Sequence, residues 1–184
     1  MSTDALLLKR AQRGDRASQD ALLREHYDTV RAVCHRIVLN RADADDAVQN
    51  ALINIVRALP RFDGRSAFST WVYRIATNAA LDEVRRIRRR AVPTDDHRTI
   101  DSPTSDGTAA VDARTDVTAA LSDLSEEHRV ALVLRHVADL EYEEIAVILD
   151  VPVGTVRSRL SRARAQLAEV MGNPEAAPER QTGE

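Results

Sequence analysis

Cysteine occurs once in the 184 residues, at Cys34. That excludes an internal disulfide and any cysteine-based zinc cluster. The five His residues are scattered and show no metal-ligand spacing. No metal or other cofactor is expected. Lysine is nearly missing: of 26 basic residues, all but Lys9 are Arg. Aromatic residues are few, with one Trp, three Tyr and two Phe. No apolar run approaches the roughly 20 residues that span a bilayer. The opening residues Met1, Ser2, Thr3 and Asp4 lack the basic start and apolar stretch of a signal peptide. A soluble protein in a reducing, cytoplasmic setting is expected, without membrane insertion. There is no nucleophile–base constellation and no phosphate-binding Gly-rich loop, so the chain is not expected to be an enzyme.

What is present is charge, strongly segregated. The formal net charge is only −3, which by itself argues against a nucleic-acid binder. Residues 57–90, however, carry nine Arg against three acids, a net +6. Residues 91–128 carry two Arg against nine acids, a net −7. Residues 151–168 carry four Arg and no acid. Two basic blocks flank an acidic one.

Alternating β-branched runs are absent and helical periodicity dominates. An all-α fold is expected: two small helical domains joined by a flexible acidic linker, the second a helix-turn-helix. Residues 4–13 and 18–39 read as helices, the second with Ala21, Leu22, Tyr27, Val30, Val33, Cys34, Ile37 and Val38 inward. Asp43–Leu59 is a third helix, with Ala47, Val48, Ala51, Leu52, Ile55 and Leu59 on one face, stopped by Pro60. Ala67–Arg90 is a fourth, with Phe68, Val72, Ile75, Ala79 and Leu81 buried. Residues 91–116 have linker composition, with Pro93, Pro103, Gly107 and many Asp, Ser and Thr. Such a segment reaches at most about 90 Å and spans roughly 28 Å as a random coil. The halves can therefore sit apart on an extended partner. Helical signals resume at Val117 and run to about Met171, with Ser125 as an N-cap before Glu126 and Glu127, and a disordered tail is expected over 172–184. The domain reading is thus an N-terminal extension at 1–17, a first domain at 18–90, the linker, and a second domain at 117–171.

The second half carries the more specific signal. Glu143–Leu149 reads as a short helix, 150–154 as a tight turn, and Thr155–Ala168 as a longer helix. That is the helix-turn-helix layout. Val156, Leu160, Ala163 and Leu167 face inward; Arg157, Ser158, Arg159, Ser161, Arg162 and Arg164 face out. A helix fits the DNA major groove with its N-terminal residues at base edges, and Arg can bond two guanine acceptors at once. A merely solvated Arg face is the plain alternative. Asp139 or Glu141 must cap the first helix, and Glu141 is a poor capping residue.

In the first half, four of the six aromatics fall at Phe62, Phe68, Trp71 and Tyr73, among and before the Arg residues. Rings beside a cationic track suit unpaired bases, which stack while Arg meets phosphate. Phe68 is expected in the core and Phe62 exposed. For Trp71, core packing and base stacking stand equal. For Asn78, a base contact and a core hydrogen bond are both open. The third helix begins with Asp43, Asp45 and Asp46, where acids suit the dipole, and then shows a polar stripe of Gln49, Asn50 and Asn54 beside Ile53. It reads either as a protein-docking face or as an ordinary solvated one. Cys34 reads as a buried small hydrophobe.

Three stretches carry a family resemblance: Asp45-Asp46-Ala47-Val48-Gln49-Asn50 with Arg57-Ala58-Leu59-Pro60-Arg61-Phe62; Phe68-Ser69-Thr70-Trp71-Val72-Tyr73-Arg74-Ile75-Ala76 with Asn78 and Asp82; and Tyr142-Glu143-Glu144-Ile145-Ala146 followed by Val151-Pro152-Val153-Gly154-Thr155-Val156-Arg157-Ser158-Arg159-Leu160. In this order they resemble a sigma-70-type RNA polymerase sigma factor of the extracytoplasmic-function (ECF) class. Asn50 departs from the family's common acid, Val56 from Trp, Asp150 from Gly and His136 from an aromatic.

The resemblance implies roles for residues here. Asp45, Asp46, Gln49, Asn50 and Ile53 would bind core RNA polymerase at its β′ clamp. Phe62, Ser66, Trp71, Arg74, Asn78 and Arg85 would read and melt the −10 element. Gly154, Thr155, Arg157, Ser158, Arg159 and Arg162 would read the −35 element, with the second domain on the β flap. Promoter DNA and an anti-sigma factor are the further partners implied. A stand-alone helix-turn-helix regulator is the alternative function.

Overall fold

The computed structural model describes residues 3–91 and 117–170. Every regular element among the described residues is helical, as the periodicity predicts. The first half holds α1 (Thr3–Gln12), α2 (Arg16–Val38), α3 (Arg41–Ala58), a 3-10 turn (Leu59–Arg61) and α4 (Phe68–Ala91). The second holds a helical stretch α5 at 117–122, then α6 (Glu126–His136), α7 (Tyr142–Leu149) and α8 (Val153–Val170). Residues 92–116 of the expected linker and the expected tail lie outside the described residues.

Local chemistry sets the helix ends. Asn40 caps α3, its side chain accepting from the Asp43 N–H at 3.2 Å. Ser125 caps α6 as expected, accepting from the His128 N–H at 3.4 Å. Pro60 does not stop α3 directly. It sits inside the 3-10 turn, where its missing N–H and fixed φ are tolerated, and α3 has already ended at Ala58.

Between α2, α3 and α4 lies the core of the first half. Val30, Val33, Cys34 and Ile37 from α2 meet Ala47, Ala51 and Ile55 from α3 and Val72, Ala76 and Ala80 from α4. The stripe of Ala on α3 and α4 lets the helices approach closely. Of the expected core residues, Phe68, Ile75 and Leu81 are half-buried against the core, while Ala21 is exposed and Tyr27 keeps 42% of its surface. His26 takes the inward position instead, its ring 5.4 Å from Phe68 and 5.8 Å from Tyr73. Burial depresses its pKa, the nearby Glu25 opposing. Cys34 is fully buried, its thiol pushed up to about 12 by burial.

The second half closes on Val130, Val133 and Leu134 of α6, Ile145 of α7, and Val156, Leu160 and Ala163 of α8. Each fully buried Leu or Val contributes about 1.5–3 kcal/mol from apolar burial. The two halves touch. α6 packs against α2 and α7 against α4. Thr70 Oγ1 donates to Glu144 Oε1 at 2.6 Å, and Arg88 pairs with Glu126 at 2.8 Å.

Candidate nucleic-acid interface

α7 and α8 form the helix-turn-helix, with tighter bounds than the spacing predicts. α8 begins at Val153, so Val153 and Gly154 belong to the helix and the turn shrinks to 150–152. Asp150 makes the turn in the left-handed region, at φ 53 and ψ 50. Asp tolerates that conformation because its short polar side chain can bond locally. Glu141 takes the N-cap position of α7. Its weak capping chemistry is offset by Glu144, whose carboxylate accepts from the Glu141 N–H at 3.0 Å. Asp139 does not cap; it adopts φ 51 in the preceding turn.

α8 is two-sided. Val156, Leu160 and Ala163 are buried, while Gly154, Arg157, Ser158 and Arg162 are exposed and Thr155 is half-buried. Among the described residues no carboxylate pairs with Arg157 or Arg162. Ser158 Oγ donates back to the Thr155 carbonyl at 2.9 Å, leaving its oxygen free to accept. Arg159 departs from the expected outward set. Its side chain is only 18% exposed and pairs with Glu127 of α6 at 2.8 Å. Arg164 and Ser161 are half-buried rather than outward.

The aromatic segment of the first half forms one cluster. Phe62 sets its ring edge-on to Phe68 at 5.4 Å and tilted to Trp71 at 5.1 Å, while Phe68 and Trp71 stack at 5.6 Å. Phe62 is therefore half-buried, against the expectation of exposure: a loop residue finds partners that spacing along one helix does not show. Trp71, at 8% exposed, belongs to the core. Asn78 is exposed, which removes its core hydrogen-bond reading. Arg74, Asn78 and Arg85 recur at helical spacing on one exposed face of α4. Arg85 bonds Asp82 at 2.8 Å. Ser66 is half-accessible in the loop before α4. Phe62 opens this loop, and its carbonyl accepts from Gln12 Nε2 at 2.8 Å.

On α3, Asp45, Asp46, Gln49, Asn50 and Ile53 are all exposed. Both acids already have partners. His35 Nε2 lies 2.8 Å from Asp45, and Arg86 reaches Asp46 at 3.0 Å and the buried Glu83 at 2.7 Å. Gln49, Asn50 and Ile53, 39% exposed, form the unengaged part of the stripe. Spacing along single helices missed Glu127, Gln12, His35 and Arg86 because their partners lie on other elements. The local signal they do carry, a polar residue near a helix end, is too common to single them out.

Among the described residues no helix is long and apolar enough to cross a membrane, and no cluster of His, Cys, Asp and Glu could hold a metal ion.

Comparison with known proteins places this geometry. The Sigma-70 region 2 family profile matches residues 22–90, and the Sigma-70 region 4 profile matches residues 114–167. The ECF RNA polymerase sigma-E factor of Escherichia coli (strain K12) is 38% identical over 175 residues, covering 88% of this chain and 91% of that protein. The RNA polymerase sigma-H factor of Pseudomonas aeruginosa is 36% identical over 181 residues, covering 91% and 93%. The sigma factor RpoE of Bartonella quintana, solved in complex with the anti-sigma factor NepR, superposes with a TM-score of 0.68 at 25% identity, covering 83% and 96%. CnrH, solved with the cytosolic domain of CnrY, shares the fold with a TM-score of 0.73 at 24% identity, covering 93% of this chain and 98% of that one. The chain therefore belongs to the ECF group of the sigma-70 family, as an alternative sigma factor that directs RNA polymerase to promoters.

Proposed function

We propose that this sigma factor divides its work among three surfaces, within units at 18–90 and 117–171 joined by the linker 91–116. The outer face of α8, led by Gly154, Thr155, Arg157 and Ser158, reads the −35 duplex in the major groove, while Arg162 meets phosphate. The loop from Phe62 to Ser66, with Arg74, Asn78 and Arg85 of α4, takes the unpaired −10 strand. Phe62, Phe68 and Trp71 support that loop from beneath. Gln49, Asn50 and Ile53 of α3, with Asp45 and Asp46 beside them, dock on the polymerase clamp. Docking through the two acids exchanges their contacts with His35 and Arg86 for contacts with polymerase.

The single observation that carries this reading is the two-sided α8. Its inner face is apolar and buried, and its outer face presents Arg157 and Arg162 with no carboxylate partner among the described residues. An Arg pair left without internal neutralisation is a stable surface only if it is well solvated or meets an anion. The protein acts in the cytoplasm and supplies no chemistry; the polymerase catalyses. A partner of the anti-sigma kind, such as NepR is for the Bartonella quintana protein, holds it inactive.

Reconstitution with core polymerase tests the whole. Run-off transcription is expected from a defined set of promoters, with permanganate-reactive thymines at −10. Promoter footprints by the free chain equal to those of the holoenzyme would instead support a stand-alone regulator.

A further inference from the structure

We infer that Gln12, on the N-terminal helix, is a positioning residue for the loop from Phe62 to Ser66. The inference rests on the reading of that loop as the −10 element's binding site. Residues 1–21 precede the region 2 match, and none of the three surfaces uses α1. Yet the last turn of α1 is firmly held. Ala11 is fully buried, and Leu7 and Leu8 pack on the core. Gly14, at φ 90, reverses the chain, with its N–H donating to the Ala11 carbonyl at 3.0 Å. Arg10 pairs with Asp15 at 3.0 Å, and Gln19 Nε2 donates to the Ala11 carbonyl at 3.0 Å. The helix end is therefore a fixed platform.

From that platform, one side-chain amide reaches two backbone carbonyls. Gln12 Nε2 donates to the Phe62 carbonyl at 2.8 Å and lies 3.4 Å from the Leu59 carbonyl. A primary amide has two N–H groups and can serve both. The loop beyond has little else to hold it. Among the described residues Asp63 and Arg65 bond only each other, and Gly64 turns at φ 75. Among the described residues, Gln12 is the only side chain of another element that hydrogen-bonds to 59–66. The rings of Phe62, Phe68 and Trp71 fix the inner side of the loop; Gln12 fixes its backbone path. A loop held in its bound shape loses less freedom when it captures a base.

The test uses holoenzyme and a forked promoter fragment, single-stranded at −10, taken from a start site mapped with this holoenzyme. The variants are Gln12→Leu, Gln12→Glu and Ser66→Ala. Loss of one net hydrogen bond corresponds to about two- to tenfold. The expected result is that Gln12→Leu weakens the forked fragment by that factor and slows promoter opening. Gln12→Glu sets a carboxylate against two carbonyl oxygens and weakens it further. Affinities for core polymerase and for duplex −35 DNA stay at the wild-type value. If Ser66→Ala weakens the forked fragment while Gln12→Leu does not, the positioning role is overturned and the loop reading stands. If Ser66→Ala and Gln12→Leu both leave the forked fragment unchanged, the loop reading falls and the positioning role with it. If Gln12→Leu lowers all three affinities together with the melting temperature, Gln12 is only a brace of the fold and the inference is overturned.

Discussion

Replacing Arg157 by Ala removes an exposed guanidinium from the first turns of α8 without touching the core. Its neighbours Val156 and Leu160 are 0% and 1% exposed and keep their packing. The expected change in folding stability is within about 0.5 kcal/mol, the usual range for a surface site without special contacts. The expected loss at DNA is much larger. A bidentate Arg–guanine pair discriminates by about 1–3 kcal/mol, which is about 5- to 150-fold in affinity. The same substitution at Arg159 removes a group already paired with Glu127, so a smaller loss of sequence discrimination is expected there. The assay is fluorescence anisotropy of holoenzyme on a −35 duplex and on duplexes mutated one base pair at a time. Arg157→Ala should flatten the response at one or two positions and leave affinity for core polymerase intact. The reasoning is refuted if Arg157→Ala lowers affinity equally at every position, or if core affinity falls in parallel.

Glu127→Gln frees Arg159 to meet a phosphate. Non-specific DNA binding should tighten, and the slope of log affinity against log salt should steepen by about 0.9; an unchanged slope would show that Arg159 stays away from DNA. The pKa of His26 is depressed by burial, so the folded state resists protonation more than the unfolded chain. Stability should therefore be full above the ordinary His pKa and fall as pH drops through it, and His26→Phe should flatten that dependence in denaturant titrations at pH 7.5 and 5.5. Cys34 should resist alkylation in the native state, because its thiol is buried and its pKa lies at about 12; modification as fast as in the unfolded chain would contradict this. Thr70→Val with Arg88→Ala removes two polar contacts between the halves, so the free chain should expand in small-angle scattering while each half keeps its helicity.

Much of this protein was legible in its sequence, because helices are local objects. The inward positions of α3 and α8, the Ser125 cap, the helix-turn-helix and the segregated charge all follow from patterns within about 20 residues. So does the family resemblance, which rests on short motifs in order. The positions that misled are those where a distant element decides. Phe62 looked exposed because no residue of its own loop covers it; Phe68 and Trp71 do. Tyr27 fits the apolar stripe of α2 by spacing, yet His26 faces Phe68 and Tyr73 instead.

The sequence by itself determined that the chain is helical, that its Arg residues collect in two blocks, and that α8 has one apolar and one basic face. Periodicity and composition suffice for those, since each depends on neighbours three or four residues away. Only the tertiary structure decided which charges are free. Arg157 and Arg159 are two residues apart and chemically identical, yet one faces solvent and the other is held by Glu127 across the fold. Asp45 and Asp46 likewise meet His35 and Arg86. The physical reason is range: an ion pair or a side-chain hydrogen bond is set by distances of about 3 Å, and folding, not chain order, brings the partners that close.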